Sequence, residues 1–214
     1  MKKIQIDLQS TASHEVDPQK GFTPLCPNEL PVKDGHTIAN ELNRQAKFGS
    51  VRTISKDVHP SNAIWISNND KTQFTKIENE PNVDIVWNAH CMSGTKGAEL
   101  IDGLPHLSKY NFIVFKGVEP DFHPYSGVYH DNAKLISTGL KEYYDMEGIM
   151  TVIVGGLALD FCVFDTVKDL INNGMDVIVN LSATKAIGDV KETVKKLKDI
   201  GAIIINSVDD LEII

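Results

Sequence analysis

The sequence predicts an α/β protein, a three-layer α/β/α domain around a mainly parallel, roughly six-stranded sheet. Three observations lead there. Short, nearly continuous runs of Ile, Val and Phe bounded by Gly or polar residues recur along the chain, as strands buried on both faces require. Segments with apolar residues at helical spacing lie between these runs, which makes βαβ units. Glycines stand where the helices should stop.

The strands come in order. Residues 50–54 are short and alternating, and 111–115 are nearly all apolar. So are 150–154, 177–179 and 202–205. The spacing predicts helices over 36–47, with Ile38, Ala39, Leu42 and Ala46 apolar, and over 130–144, with Ala133, Leu135, Ile136 and Leu140. A third helix opens at Cys162, with Val163, Val167, Leu170 and Ile171 in one stripe and Gly174 at its end. The last is the clearest: Asp189 and Glu192 form a capping box, Val190, Val194 and Leu197 the stripe, and Gly201 the stop. Residues 61–107 fit no regular pattern and read equally well as a binding or lid segment or as a variable surface loop.

Composition narrows the function. At 214 residues, 42% hydrophobic and 23% charged, the chain has material for a core and is not disordered. No linker, repeat or low-complexity stretch divides it, so 1–214 reads as a single domain. A net charge of −8 without a Lys/Arg cluster argues against nucleic acid and anionic membranes as partners. No apolar run reaches the roughly 18 residues of a membrane span, and the basic start is not followed by a secretory signal's apolar stretch. Three Cys exclude a disulfide framework and suit a reducing, cytoplasmic setting.

In open α/β sheets, ligands collect at the carboxyl ends of the strands. Cys162 follows an apolar strand and Gly155-Gly156 and opens a helix, whose dipole is expected to lower the thiol pKa. Nucleophile and buried structural thiol are equally good readings of it. Lys116 ends the 112–115 run; it is either a partner for an anion or a lysine reaching water. Asp17, in Asp17-Pro18-Gln19, is ordinarily a turn residue. Asp57 and His59 follow the 50–54 strand and, at i and i+2, address one side, so they can supply two ligands to a divalent cation. His90 offers a third, and the adjacent Cys91 reads better as a packed small residue. His14, His36, His106, His123, His130 and Cys26 show no partner spacing and read as surface or core residues.

Together these segments resemble the nicotinamidase branch of the isochorismatase-like cysteine hydrolases. Asp17-Pro18-Gln19-Lys20-Gly21-Phe22 is similar to the family's D-x-Q-x-x-F opening and Asp57-Val58-His59-Pro60 to its D-x-H-P motif. Trp87-Asn88-Ala89-His90-Cys91 with 94–100 resembles its W-P-x-H-C-x-x-G-T-x-G-A-E-L block. Lys116-Gly117, Tyr125-Ser126-Gly127 and 156–163 match the lysine, the Y-S-G and the nucleophile segment. Asn88 replaces the usual Pro and Leu159 the usual Thr. The further histidine some members carry after D-x-H is missing near Trp65, and residues 13–16 are more polar than the usual first strand.

The resemblance implies a Rossmann-like cysteine hydrolase converting nicotinamide to nicotinate and ammonia in NAD salvage, with pyrazinamide as a second substrate. It implies Asp17 as general base, Lys116 as its cationic partner and Cys162 as nucleophile. The Ala158 and Cys162 N–H groups form the oxyanion hole, with a cis peptide at Leu157–Ala158. Asp57, His59 and His90 hold one divalent metal, zinc first, with iron or manganese as alternatives, and Phe22, Trp87 and Tyr125 contact the substrate. Family members are often dimers or larger, so a homo-oligomer is compatible with it. The alternatives are a sister amidase acting on a carbamoyl or ureido substrate and a non-catalytic ligand-binding relative.

Overall fold

The computed structural model describes residues 3–214. Strands β1 (Ile4–Ile6) and β8 (Leu211–Ile213) form a small parallel ribbon. The main sheet holds β2 (Thr11–Val16), β3 (Val51–Asp57), β4 (Phe112–Lys116), β5 (Thr151–Leu157), β6 (Asp176–Lys185) and β7 (Ile203–Ile205). Its order is β4-β3-β2-β5-β6-β7, and every pairing is parallel. The α/β/α fold with a six-stranded parallel sheet is therefore the one the sequence predicts.

The chain leaves β2 outward through β3 and β4, then returns to the other side of β2 for β5, β6 and β7. The order thus reverses between β2 and β5, and the crevice beyond their carboxyl ends is where such a sheet accepts a ligand. The strands are buried on both faces. Val152 and Val154 of β5 and Val177 and Val179 of β6 pack with Leu140, Val167, Leu170 and Leu197 of the helices on one side. Ile153 and Ile178, one residue out of phase, turn to the opposite face with Ile6, Ile205 and Leu211.

Helices α1 (Ala39–Gln45), α2 (Leu140–Met146), α3 (Phe164–Asn172) and α4 (Val190–Asp199) cover the sheet. The Asp189 carboxylate caps α4, accepting from the N–H groups of Lys191 (2.7 Å) and Glu192 (3.1 Å). The helix predicted over 130–144 is corrected. Asp131 captures the Leu135 and Ile136 N–H groups at 2.9 and 2.8 Å and folds this stretch into a turn, so only α2 is helical there. Leu135, counted as a core position, is 83% exposed.

Central strand β2 is fully buried yet reads Thr-Ala-Ser-His-Glu-Val. Its polar groups find partners sideways. Gln45 of α1 donates to the Ser13 hydroxyl and the Ile153 carbonyl, His14 Nδ1 meets the Thr53 hydroxyl at 2.9 Å, and Glu15 takes Arg52 and the Tyr110 hydroxyl. Residues 61–107 hold no strand or α-helix. Isolated bridges between Ile66 and Trp87 and between Lys76 and Ile85 tie the segment together, and its two tryptophans, Trp65 and Trp87, are buried in one apolar cluster with Phe22 and Leu30.

Candidate active site

Three strand ends meet at the switch point. Asp17 follows β2 in a left-handed conformation (φ 44°), held by its N–H to the Ser55 carbonyl (3.1 Å) and by the Ser55 hydroxyl donating to Oδ1 (2.7 Å). Asp57 ends β3 and Lys116 ends β4, side by side in register. Gln19 clamps Asp57 from the β2 side: its amide donates to the Asp57 carbonyl and accepts the Asp57 N–H, each at 2.8 Å. The motif reading quoted Gln19 without giving it this role.

The Lys116 ammonium is fully buried. It lies 3.0 Å from Asp17 Oδ2 and 2.5 Å from Asp57 Oδ1, donates to the Pro124 carbonyl at 3.1 Å, and sits 3.7 Å from Cys162 Sγ. Cys162 reaches this point because β5 runs close against β2. At Gly156 (φ 130°), a Cβ would sit 2.0 Å from the Val16 carbonyl oxygen. The Leu157–Ala158 peptide is cis, as expected, and a π-type turn over Leu159–Val163 leads into α3. The Ala158 carbonyl accepts from Phe161 and Val163, both at 3.1 Å, and neither bond uses the Cys162 N–H.

The electrostatics separate the two carboxylates. Burial pushes Asp17 up to about 6, against the pull of Lys116 and with Asp57 adding to the rise. Burial also acts to raise Asp57, but Lys116 and His59 outweigh it and hold Asp57 well below the usual carboxylate range. Asp57 thus stays ionised at neutral pH, while Asp17 titrates close to neutrality. The thiol expectation is corrected. Burial, with Asp17 and Asp57 adding to it against Lys116, holds Cys162 well above its ordinary pKa, and α3 begins only at Phe164. Cys162 therefore rests as a thiol rather than a thiolate.

Two carboxylates against one ammonium leave the buried site one negative charge in excess, and the histidines lie on that side. His59 Nδ1 donates to the Gly117 carbonyl at 2.8 Å and His90 Nδ1 to the Asn88 carbonyl at 2.6 Å. Both rings therefore present a bare Nε2. Gly117 (φ 63°) permits the first bond, since a Cβ there would lie 2.3 Å from the His59 ring. The His59–Met92 bridge brings the irregular segment, and His90 with it, beside β3. Asp57 Oδ2 is 3.5 Å from His59 Nε2.

His123, read from the sequence as surface or core, joins them. One nitrogen from each of His59, His90 and His123 lies within 4.8 Å of the others. His123 follows β4 on a loop without regular spacing to the other two, so no motif marks it. Burial, reinforced by His59, pushes His90 down to about 3 and His123 well below its ordinary value. Imidazole nitrogens beside a carboxylate are a donor set that a divalent cation takes. Cys91 stays outside the group, its thiol packed 3.5 Å from the Gly97 carbonyl.

A small cavity opens between the two groups, with Phe22, Trp87, His123, Tyr125, Phe161 and Cys162 in its wall. All three residues expected to contact a substrate line it. Trp87 Nε1 donates to the Tyr125 hydroxyl (3.1 Å), which donates to Asp84 (2.7 Å). Phe161 packs edge-on against Trp87 at 5.1 Å. No motif marks Phe161, Leu30 or Ile187, which also line it.

Known proteins are similar to this chain. An Acinetobacter baylyi nicotinamidase is 34% identical over 174 residues, 80% of this chain and 79% of its own. Among solved structures, an Acinetobacter baumanii nicotinamidase/pyrazinamidase superposes with a TM-score of 0.85 at 32% identity, covering 94% of this chain and 98% of its own. A Leishmania (L. infantum) PnC1 in complex with nicotinate gives 0.82 at 26% identity over 99% and 100%. A Pyrococcus horikoshii pyrazinamidase in complex with zinc gives 0.74 at 25% identity over 92% and 98%. The Isochorismatase domain model matches residues 16–209, from the last residue of β2 to the approach of β8. That span contains every strand end that builds the site, and the chain belongs to the isochorismatase-domain family.

Proposed function

We propose that this protein is a nicotinamidase, a cysteine amidase that hydrolyses nicotinamide to nicotinate and ammonia. The observation that carries the reading is that a buried Asp17–Lys116–Cys162 group and a cluster of three histidines meet at one small aromatic cavity. Relatives named nicotinamidase support it.

The chemistry follows from the charges. Asp17 accepts the thiol proton as Cys162 Sγ attacks the amide carbon, and Lys116 stabilises the thiolate as it forms. The Ala158 and Cys162 N–H groups receive the developing oxyanion. Asp17 returns the proton to the departing ammonia, leaving a thioester on Cys162. It then takes a proton from water, whose oxygen attacks the thioester and releases nicotinate; that proton regenerates the thiol. Lys116 keeps Asp57 anionic throughout. Asp57, His59 and His90 would hold a divalent metal, and the orphaned His59 Nε2 fits that role. When bound, the metal supplies a Lewis acid for the ring nitrogen of the substrate. Zinc suits a nitrogen and oxygen donor set, as do iron and manganese. Phe22, Trp87 and Tyr125 wall the aromatic ring.

Pyrazinamide carries an amide and a ring nitrogen in the same relation and is the second substrate of this reading. A carbamoyl or ureido substrate would leave the aromatic wall unused. Every residue of the site comes from one chain, so turnover does not require a homo-oligomer. Among the described residues no helix is long and apolar enough to cross a membrane, and the three cysteines are free, which supports a cytoplasmic enzyme. The test is ammonia release from nicotinamide by the native protein and by Cys162→Ala, with divalent metal supplied. Release by the native chain alone is expected. No release by either, with release from ureido substrates instead, would assign the sister activity.

A further inference from the structure

We propose that His123 is a protein ligand of the metal, so that this chain offers three imidazoles and the Asp57 carboxylate. The proposal rests on the metal-site reading above and deepens it. Three observations carry it.

The first is position. The His123 ring stacks against His59 at 5.2 Å and 15° and meets His90 edge-on at 5.6 Å, and one of its nitrogens lies within 4.8 Å of a nitrogen of each. The second is an unmet hydrogen-bonding capacity. His123 is 4% exposed, and neither of its ring nitrogens has a partner in the protein. His59 and His90 each commit Nδ1 to a backbone carbonyl and keep one nitrogen free. A buried imidazole with two unsatisfied nitrogens is unfavourable unless something else meets one of them. The third is how firmly the ring is placed. The His123 backbone N–H donates to the Asn82 carbonyl at 2.8 Å, and the carbonyl of the next residue, Pro124, accepts from the Lys116 ammonium at 3.1 Å. Trp65 packs edge-on at 4.5 Å and Trp87 lies nearly parallel at 6.0 Å. The loop that carries His123 is thus tied to the lysine that pairs with Asp57.

Four protein donors would change what the site can accept. A four-coordinate ion would be saturated by them, so a substrate nitrogen would need a fifth position. The rival role for His123 is a wall of the cavity with no bond to the ion.

The experiment is X-ray absorption on the zinc-loaded native protein to count imidazole ligands. Zinc affinity by chelator competition is measured beside it for native, His123→Ala and His59→Ala proteins. Three imidazoles in the native protein are expected, two in His123→Ala, and a zinc affinity about 10- to 100-fold weaker in that variant. Two imidazoles in the native protein, or a His123→Ala protein with unchanged affinity and ligand count, would overturn the proposal while leaving Asp57, His59 and His90 as the site. A native protein that binds no divalent metal would overturn both readings. The native count needs no variant, so a His123→Ala protein that fails to fold does not remove the test.

Discussion

The two halves of the site are built differently. The Asp17–Lys116–Cys162 half stands on the ends of regular strands and is largely satisfied by the protein itself: the ammonium touches two carboxylates and a carbonyl, and Ser55 and Gln19 hold the carboxylate-bearing residues. The His59–His90–His123 half stands on irregular chain and keeps unpaired nitrogens at its centre. A half satisfied from within should be rigid and should carry the reaction. A half left unsatisfied should be completed by what it binds, and should position rather than react. The comparison can be broken on either side.

The largest effect is expected from Lys116→Met. It leaves Asp17 and Asp57 buried without their counter-charge, so turnover should fall to background, and stability at neutral pH should drop by roughly 3–5 kcal/mol. Chemical unfolding of the variant beside the native protein measures the second. A variant as stable as the native chain would mean that the ammonium does not hold the first half together.

Next comes the pH profile. Asp17 acts as a base only when ionised, and its pKa lies near 6, so kcat/KM should fall as pH drops through about 6. Ser55→Ala removes a hydrogen bond to the ionised form, so the acid limb should move to higher pH. A limb that stays in place would separate it from Asp17.

An effect on stability alone, with none expected on turnover, lies below the site, on β2. Burial pushes His14 down to about 3. A histidine depressed on folding contributes stability that is complete above its unfolded value near 6.5 and is lost as pH falls toward 3. His14→Gln should therefore lose less stability than the native protein between those limits, by up to about 1.4 kcal/mol per pH unit. Urea unfolding across that range reads it, and parallel losses in the two proteins would contradict it.

Much of the first half was legible in the sequence because it is local. Asp57 follows the alternating 50–54 strand, Lys116 ends an apolar run and Cys162 follows Gly155-Gly156, so the strand pattern alone delivers them to one edge. Central strand β2 was hidden because its buried polar groups are paid for by partners distant in sequence, such as Gln45, Arg52 and Tyr110, which hydrophobic periodicity does not register. The helix expected over 130–144 failed for the opposite reason. Its apolar spacing was adequate, but a single carboxylate, Asp131, offered the backbone a competing partner. His123 was invisible because a loop residue reaches the cluster through tertiary folding alone. The direction of the Cys162 shift depends on burial beside two carboxylates, which sequence position cannot report.

The division of labour is tested most directly by titrating nicotinamide against the native enzyme, a metal-stripped sample and the same sample reconstituted with zinc, resolving kcat from KM. If the histidine half positions the substrate and the strand-end half performs the attack, stripping should raise KM more than it lowers kcat, and zinc should restore both. A stripped enzyme with unchanged KM would contradict that account.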